Sequence, residues 1–157
     1  MQKVRFGIVG IGNMGTAHCK SFLSGLIKNG ELTAICNSRT SKMDAILALE
    51  GAERVAAFTD YRELFCSGLC DAVIIAVPPY DHAKMVAEAF EAGLHVICEK
   101  PAGVYTKQVK EMNAAADQDY NPELEDEDFQ AFYEEQERQK DLDAELVDEE
   151  GDFDGIE

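Results

Sequence analysis

The first 116 residues predict an α/β fold in which helices cover both faces of a doubly wound parallel sheet. Three observations carry that expectation. An apolar, β-branched run, Val4 to Val9, breaks into Gly10-Ile11-Gly12-Asn13-Met14-Gly15 and resumes as a helical pattern through Phe22, Leu23, Leu26 and Ile27. Strand-like and helix-like stretches then alternate as far as residue 116. Two later runs, Asp71–Val77 (DAVIIAV) and Leu94–Cys98 (LHVIC), are nearly continuous in apolar residues, as strands covered on both faces require.

The first element is the most informative. Strand, glycine turn and helix in that order form the G-x-G-x-x-G arrangement of a Rossmann-type dinucleotide-binding sheet. Gly10 permits the tight turn, Gly12 lets the backbone approach a pyrophosphate, and Gly15 lets the helix pack close to the strand. The helix aims unpaired N–H groups and the positive end of its dipole at the phosphates. Residues Gly10, Ile11, Gly12, Asn13, Met14 and Gly15 are therefore candidate cofactor contacts. A turn that merely packs a βα unit would leave three correctly spaced glycines, each costly in backbone entropy, without a cause.

Glu31–Cys36 reads as the second strand and ends at Asn37-Ser38-Arg39. An NAD-binding fingerprint places an acidic residue here for the ribose 2′-hydroxyl. A hydroxyl and a guanidinium suit a 2′-phosphate better, because Arg makes charge-assisted bonds to phosphate oxygens. The cofactor expected is NADP or NAD, with NADP favoured. Ser41 is placed to cap a helix over Lys42–Leu49, with Gly51 stopping it. A short strand (Val55–Phe58) and a small helix (Asp60–Phe65) follow.

The strand Asp71–Val77 runs into Pro78-Pro79-Tyr80-Asp81-His82. Two prolines stiffen a loop at the carboxyl end of a strand, where open α/β sheets bind their ligands. An amphipathic helix over Ala83–Ala92, closed by Gly93, comes next; His82 by itself reads as a first-turn helix residue without chemistry. Leu94–Cys98 terminates in Glu99-Lys100-Pro101, since Pro101 cannot continue regular pairing. A Glu-Lys pair at that strand end is placed to meet cofactor or substrate. Thr106–Ala116 reads as the last helix.

Three segments, GIVGIGNMG, AVPPYDH and AGLHVICEKPAG followed by YTKQVKEM, resemble the Gfo/Idh/MocA oxidoreductases over Val4 to about Ala116. The glycine motif is widely shared, whereas the A-G-x-H-V-x-x-E-K-P pattern is far more specific. The resemblance implies that Ala76, Val77, Pro78, Pro79 and His82 line the cofactor beside Asn37, Ser38, Arg39, Glu99, Lys100 and Pro101. It implies that Lys100 reaches the nicotinamide ribose and the substrate, as the catalytic residue. It also implies hydride exchange between NAD(P) and a hydroxyl of a sugar, polyol or related small molecule. Members continue into a further strand and a second α+β domain that supplies most of the substrate pocket. No apolar strand pattern follows Ala116 here, so this chain alone is expected to lack a complete active site.

Two domains are expected: a dinucleotide-binding domain over residues 1–116 and an acidic tail over 117–157. The first holds twelve Lys/Arg and twelve Asp/Glu; the second holds two basic and nineteen acidic residues, so the net charge of −17 lies entirely in the last quarter. That segment cannot easily bury a core. It reads as a solvated, disordered tail, as one amphipathic helix or two short ones over Glu125–Val147, carrying Phe129, Phe132 and Tyr133 and laid on the sheet surface, or as a fusion, truncation or out-of-frame end. Such a charge argues against nucleic acid as a partner.

The cysteines Cys19, Cys36, Cys66, Cys70 and Cys98 read as reduced, mostly buried thiols of a cytoplasmic protein. Cys66 and Cys70 are spaced for one helical face, yet no metal site is expected, because they lack a second pair or a nearby His. Neither a signal peptide nor a membrane span is apparent. The oligomeric state stays open. The alternative to an oxidoreductase half is a non-catalytic nucleotide-binding or protein-interaction module with an acidic tail.

Overall fold

A computed structural model describes residues 3–119. The elements alternate strictly: β1 (Val4–Val9), α1 (Asn13–Leu23), β2 (Gly30–Cys36), α2 (Thr40–Leu47), β3 (Ala56–Phe58), α3 (Tyr61–Phe65), β4 (Ala72–Ile75), α4 (Pro79–Glu91), β5 (His95–Cys98) and α5 (Thr106–Asp119). The five strands form one sheet in the order β3-β2-β1-β4-β5, and every neighbouring pair is parallel. After β3 the chain returns to the other side of β1, which makes the β1/β4 boundary the topological switch point of a doubly wound sheet.

Period-two alternation sends side chains to both faces of the sheet, and each face is covered by helices. Ile8, Ile35 and Ile74 pack with Ile11, Cys19, Met43 and Ile46 beneath α1 and α2. Val9, Cys36, Val73 and Ile75 pack with Leu64, Phe65, Val86 and Met112 from the other three helices. A fully buried Ile contributes on the order of 1.5–3 kcal/mol. The strands end together: Phe58 aligns with Cys36, Cys36 with Val9, Val9 with Ile75, and Ile75 with Cys98.

Several boundaries differ from the sequence expectation. α4 begins at Pro79 rather than Ala83, because proline is preorganised for the first helical position, where its missing N–H has no partner to lose. α2 begins at Thr40 behind Arg39 and carries no side-chain cap, so Ser41 does not cap it. The helix ends at Leu47, and Gly51 turns the chain only afterwards. Asp60 does cap α3, accepting from the Arg62 N–H at 2.9 Å. β5 is an edge strand, and this leaves Ile97 50% exposed, whereas the sequence predicts a fully covered strand. α3 stops at Phe65, so Cys66 is exposed at its end while Cys70 is buried, and the two share no helical face. α5 runs on to Asp119, past the expected end at Ala116.

Among the described residues no helix is long and apolar enough to cross a membrane, and no group of three or more His, Cys, Asp or Glu could hold a metal ion. The expectations for the acidic end beyond Asp119 lie outside the described residues.

Candidate functional site

The aligned strand ends set four segments side by side: Gly10–Gly15 after β1, Asn37–Arg39 after β2, Ala76–Pro79 after β4 and Glu99–Pro101 after β5. Backbone bonds extend the ladder one residue further. Gly10 N–H donates to Cys36 O at 2.9 Å, Ala76 N–H to Val9 O at 2.8 Å, Asn37 N–H to Phe58 O at 3.2 Å and Glu99 N–H to Ile75 O at 3.0 Å. The candidate residues thus share one end of the sheet, straddling its switch point.

The three glycines of the turn have different surroundings. Gly10 has φ +95°, and a Cβ there would stand 2.6 Å from the Ala76 carbonyl oxygen. A Cβ on Gly15 would collide with the carbonyl oxygen of Gly10, which is how closely α1 packs on the turn. A Cβ on Gly12, by contrast, would meet nothing within 4 Å. Gly12 is also the N-cap of α1 and carries no capping side chain; the Thr16 N–H donates to the Gly12 carbonyl at 3.0 Å. The open space at Gly12, beside an uncapped helix start, is a cradle that fits a pyrophosphate. Asn13 and Met14 are exposed at this end, and Ile11 is buried below it.

At the end of β2 the Asn37 side chain is consumed within the protein. Its Oδ1 accepts from the Ile11 N–H at 3.0 Å, and its Nδ2 donates to the Arg39 carbonyl at 3.0 Å. Asn37 therefore fastens the β2 loop to the glycine turn. Ser38 and Arg39 are exposed and remain available to a ligand.

After β4, Ala76, Val77 and Pro79 are half-buried and Pro78 is exposed. His82 is wholly buried. Its Nε2 lies 2.8 Å from Val77 O, and its Nδ1 lies 3.1 Å from Pro101 O and 3.2 Å from Ala102 O. Carbonyl oxygens only accept, so the ring donates to one side or, doubly protonated, to both. The side chain is turned into the protein and joins the β4 loop to the β5 loop.

After β5, Lys100 is exposed and makes no ion pair among the described residues; the Lys100–Pro101 peptide bond is cis. Glu99 faces α1, where His18 Nε2 approaches its Oε1 to 2.6 Å, while its Oε2 accepts from the Lys100 N–H at 3.2 Å. The His18 hydrogen bond, helped by the Lys100 N–H and the nearby charges, holds the Glu99 carboxyl below the usual carboxylate range. Sequence reasoning does not single out His18. The available signal is weak: a polar residue three positions after Gly15, on the same helix flank. Burial pushes the thiols of Cys36 and Cys98 up to about 11, so the two strand-end cysteines are neutral at physiological pH and supply no thiolate.

A separate groove of about 420 Å³, lined by residues that include Lys3, Phe22, Ile27, Lys28 and Arg54, lies at the amino-terminal ends of β1 and β2. That is the opposite end of the sheet from the glycine turn.

Residues 4–122 match the family model described as oxidoreductase family, NAD-binding Rossmann fold. The chain is 34% identical over 100 residues to an inositol 2-dehydrogenase of Corynebacterium glutamicum, a match covering 64% of this chain and 29% of that enzyme. Among solved structures, myo-inositol 2-dehydrogenase of Lactobacillus plantarum superposes with TM-score 0.68 at 28% identity, covering 74% of this chain and 34% of that one. Scyllo-inositol dehydrogenase of Lactobacillus casei, solved with NAD(H) and scyllo-inositol bound, superposes with TM-score 0.69 at 25% identity, covering 75% and 34%. The chain thus spans about a third of the length of these relatives. With the E-K-P strand end and the glycine turn set at one end of a 3-2-1-4-5 sheet, the chain belongs to the Gfo/Idh/MocA oxidoreductase family and carries its NAD-binding Rossmann domain.

Proposed function

We propose that this chain binds a nicotinamide dinucleotide at the carboxyl end of its sheet, NADPH more tightly than NADH. On this reading it is the cofactor-binding half of an oxidoreductase acting on a hydroxyl of a sugar, polyol or related small molecule. The observation that carries the proposal is the open cradle at Gly12, where a Cβ would meet nothing within 4 Å although both flanking glycines are tightly enclosed. The turn from Gly10 to Gly15 would hold the pyrophosphate through backbone N–H groups of the α1 start. Ser38 and Arg39 would hold a 2′-phosphate, with Asn37 fixing their loop to the glycine turn. Ala76, Val77, Pro78 and Pro79 would line the nicotinamide side; His82 would serve there by holding backbone. When bound, the cofactor supplies or accepts the hydride.

Lys100 is the one exposed cation of the β5 loop. Its ammonium can stabilise charge developing on a substrate oxygen, or donate a proton to it. Glu99 is committed to His18 and to the Lys100 amide, so it sets where Lys100 starts from. The inositol dehydrogenases above support a polyol hydroxyl as the reacting group.

Calorimetric titration of the 157-residue chain with NADH and with NADPH tests the proposal. Saturable binding of both, tighter for NADPH, is expected; absence of binding to either overturns it. A second reading, a nucleotide-binding module without turnover, draws on Asn37, Glu99 and His82 being bonded within the protein, which leaves Lys100 as the one exposed cation of the β5 loop. Tight binding with no turnover on any sugar or polyol, even beside a chain that supplies a substrate domain, would favour that module.

A further inference from the structure

The backbone that carries Lys100 is gripped from two sides by imidazoles, and each imidazole is rooted in a helix that borders the cradle. His18 stands in α1, six residues beyond Gly12, and reaches across to Glu99 at 2.6 Å. Glu99 in turn accepts from the N–H of Lys100 at 3.2 Å. His82 stands in the first turn of α4 and spans from Val77 O, at 2.8 Å, to the carbonyls of Pro101 and Ala102, at 3.1 and 3.2 Å. The lysine side chain itself is exposed between these two anchors.

Packing alone does not explain either histidine. A buried polar ring costs free energy unless it is hydrogen-bonded, and an aliphatic side chain would fill the His82 site without that cost. What an aliphatic residue could not do is join three carbonyl oxygens from two separate loops. His18 is only partly buried, with 30% of its side chain exposed, so it contributes little core; its role lies in the contact to Glu99. Glu99 N–H pairs with Ile75 O, and the Val104 and Tyr105 N–H groups are held by Gln108, so the histidine contacts fix the stretch between these two ends, which would otherwise gain conformational entropy by moving.

We propose that His18, through Glu99, and His82 are positioning residues that lock the Glu99–Ala102 loop to α1 and to the β4 loop, so that Lys100 and the dinucleotide cradle are held as one unit. The proposal rests on the reading of Lys100 as a group that meets the cofactor and substrate. A role confined to overall stability would predict something different: losses that simply add to those of any other residue.

The test uses the 157-residue chain and two independent readouts. The first is NADH affinity by nicotinamide fluorescence. Lys100→Ala and His18→Ala are each expected to weaken binding about tenfold, the scale of one charge-assisted hydrogen bond. The double variant should bind no more weakly than Lys100→Ala alone, and His18→Gln, which can still donate to Glu99, should recover most of the affinity. The second readout needs no ligand: amide hydrogen exchange at Lys100. It should quicken about tenfold in His18→Ala while the core amides of β1 and β4 stay unchanged. His82→Gln, a milder change than an aliphatic substitution in the buried site, should also weaken NADH binding about tenfold and add nothing further to Lys100→Ala. Fully additive losses of affinity, or a Lys100 amide indifferent to His18→Ala, would overturn the lock. If the chain binds no NADH, the cofactor reading falls, and the exchange measurement alone decides for or against the lock.

Discussion

The glycine turn offers a perturbation whose two consequences, on folding and on binding, separate cleanly. Placing Ala at Gly12 adds a Cβ that meets no protein atom within 4 Å, so the fold should tolerate it. The cost is the difference between Gly and Ala as an N-cap, about 0.5–1 kcal/mol, or roughly 1–4 °C in Tm for a chain of this size. Placing Ala at Gly10 forces an L-residue to φ +95° and sets its Cβ 2.6 Å from the Ala76 carbonyl oxygen. Left-handed strain of about 1–2 kcal/mol and overpacking of about 1–3 kcal/mol then add to a loss near 2–5 kcal/mol. Gly15→Ala should behave like Gly10→Ala, because its Cβ would run into the Gly10 carbonyl. Binding should order the variants differently. On the proposed reading, the Cβ of Gly12→Ala stands where a pyrophosphate would approach the α1 start. Breaking one charge-assisted hydrogen bond there costs roughly 1.5–3 kcal/mol, tenfold or more in affinity. Thermal unfolding without ligand, followed by NADH titration of each folded variant, measures both effects. A Gly12→Ala chain that binds NADH within twofold of the parent, or that unfolds as readily as Gly10→Ala, would refute the assignment of Gly12 to the ligand.

Arg39→Ala should remove most of the preference for NADPH, about 1.5–3 kcal/mol, while leaving NADH affinity nearly unchanged; equal loss for both cofactors would count against a 2′-phosphate contact. Asp71 accepts from Arg5 Nη2 at 2.6 Å and from the Arg5 backbone N–H at 2.9 Å, and these bonds hold its carboxyl below the ordinary value. A depressed carboxyl stabilises the fold above its ordinary range, and that contribution is lost as pH falls through the folded value. Denaturant titrations from pH 7 down into the acid limb should therefore show Asp71→Asn costing about 0.5–1 kcal/mol at neutral pH, modest because the pair is solvent-screened, and progressively less below about pH 4.

The fold is legible in the sequence because its signals are local and mutually consistent. A strand buried on both faces must be apolar along its length, and Ala72–Ile75 is so. Left-handed turns favour glycine, and Gly10, Gly51 and Gly93 all have positive φ near where the chain changes direction. Proline misleads when it is read only as punctuation before a helix. Pro79 is the first residue of α4, and its ring already has the helical φ, so the helix absorbs four residues that read as a loop. The exposure of Ile97 is equally beyond a composition-based reading: an edge strand and a central strand share a vocabulary, and only the sheet order distinguishes them.

The site divides along the same line. Its positions are legible, because parallel strands of matched register bring every β-to-α turn to one end of the sheet, and the glycine, Asn-Ser-Arg, Pro-Pro and Glu-Lys-Pro segments all occupy such turns. Its side-chain partners are not. His18 and Glu99 are 81 residues apart, Ile11 and Asn37 are 26 apart, and no spacing rule links either pair. A residue that contacts a ligand and one that fastens the contacting loop look alike in a sequence, since both are polar groups at strand ends or helix starts. Asn37 and Glu99 occupy positions expected to meet cofactor, and the structure spends their side chains on the protein itself: Asn37 on the Ile11 and Arg39 backbone, Glu99 on His18 and the Lys100 amide. The consequence is physical. A flexible Arg39 or Lys100 gains affinity only if its backbone is already in place, because ordering a loop at the moment of binding subtracts from the interaction. Arg39 and Lys100 each follow a polar residue that bonds their backbone, so on the proposed reading the preorganisation of the site resides in Asn37 and Glu99 rather than in the two cations.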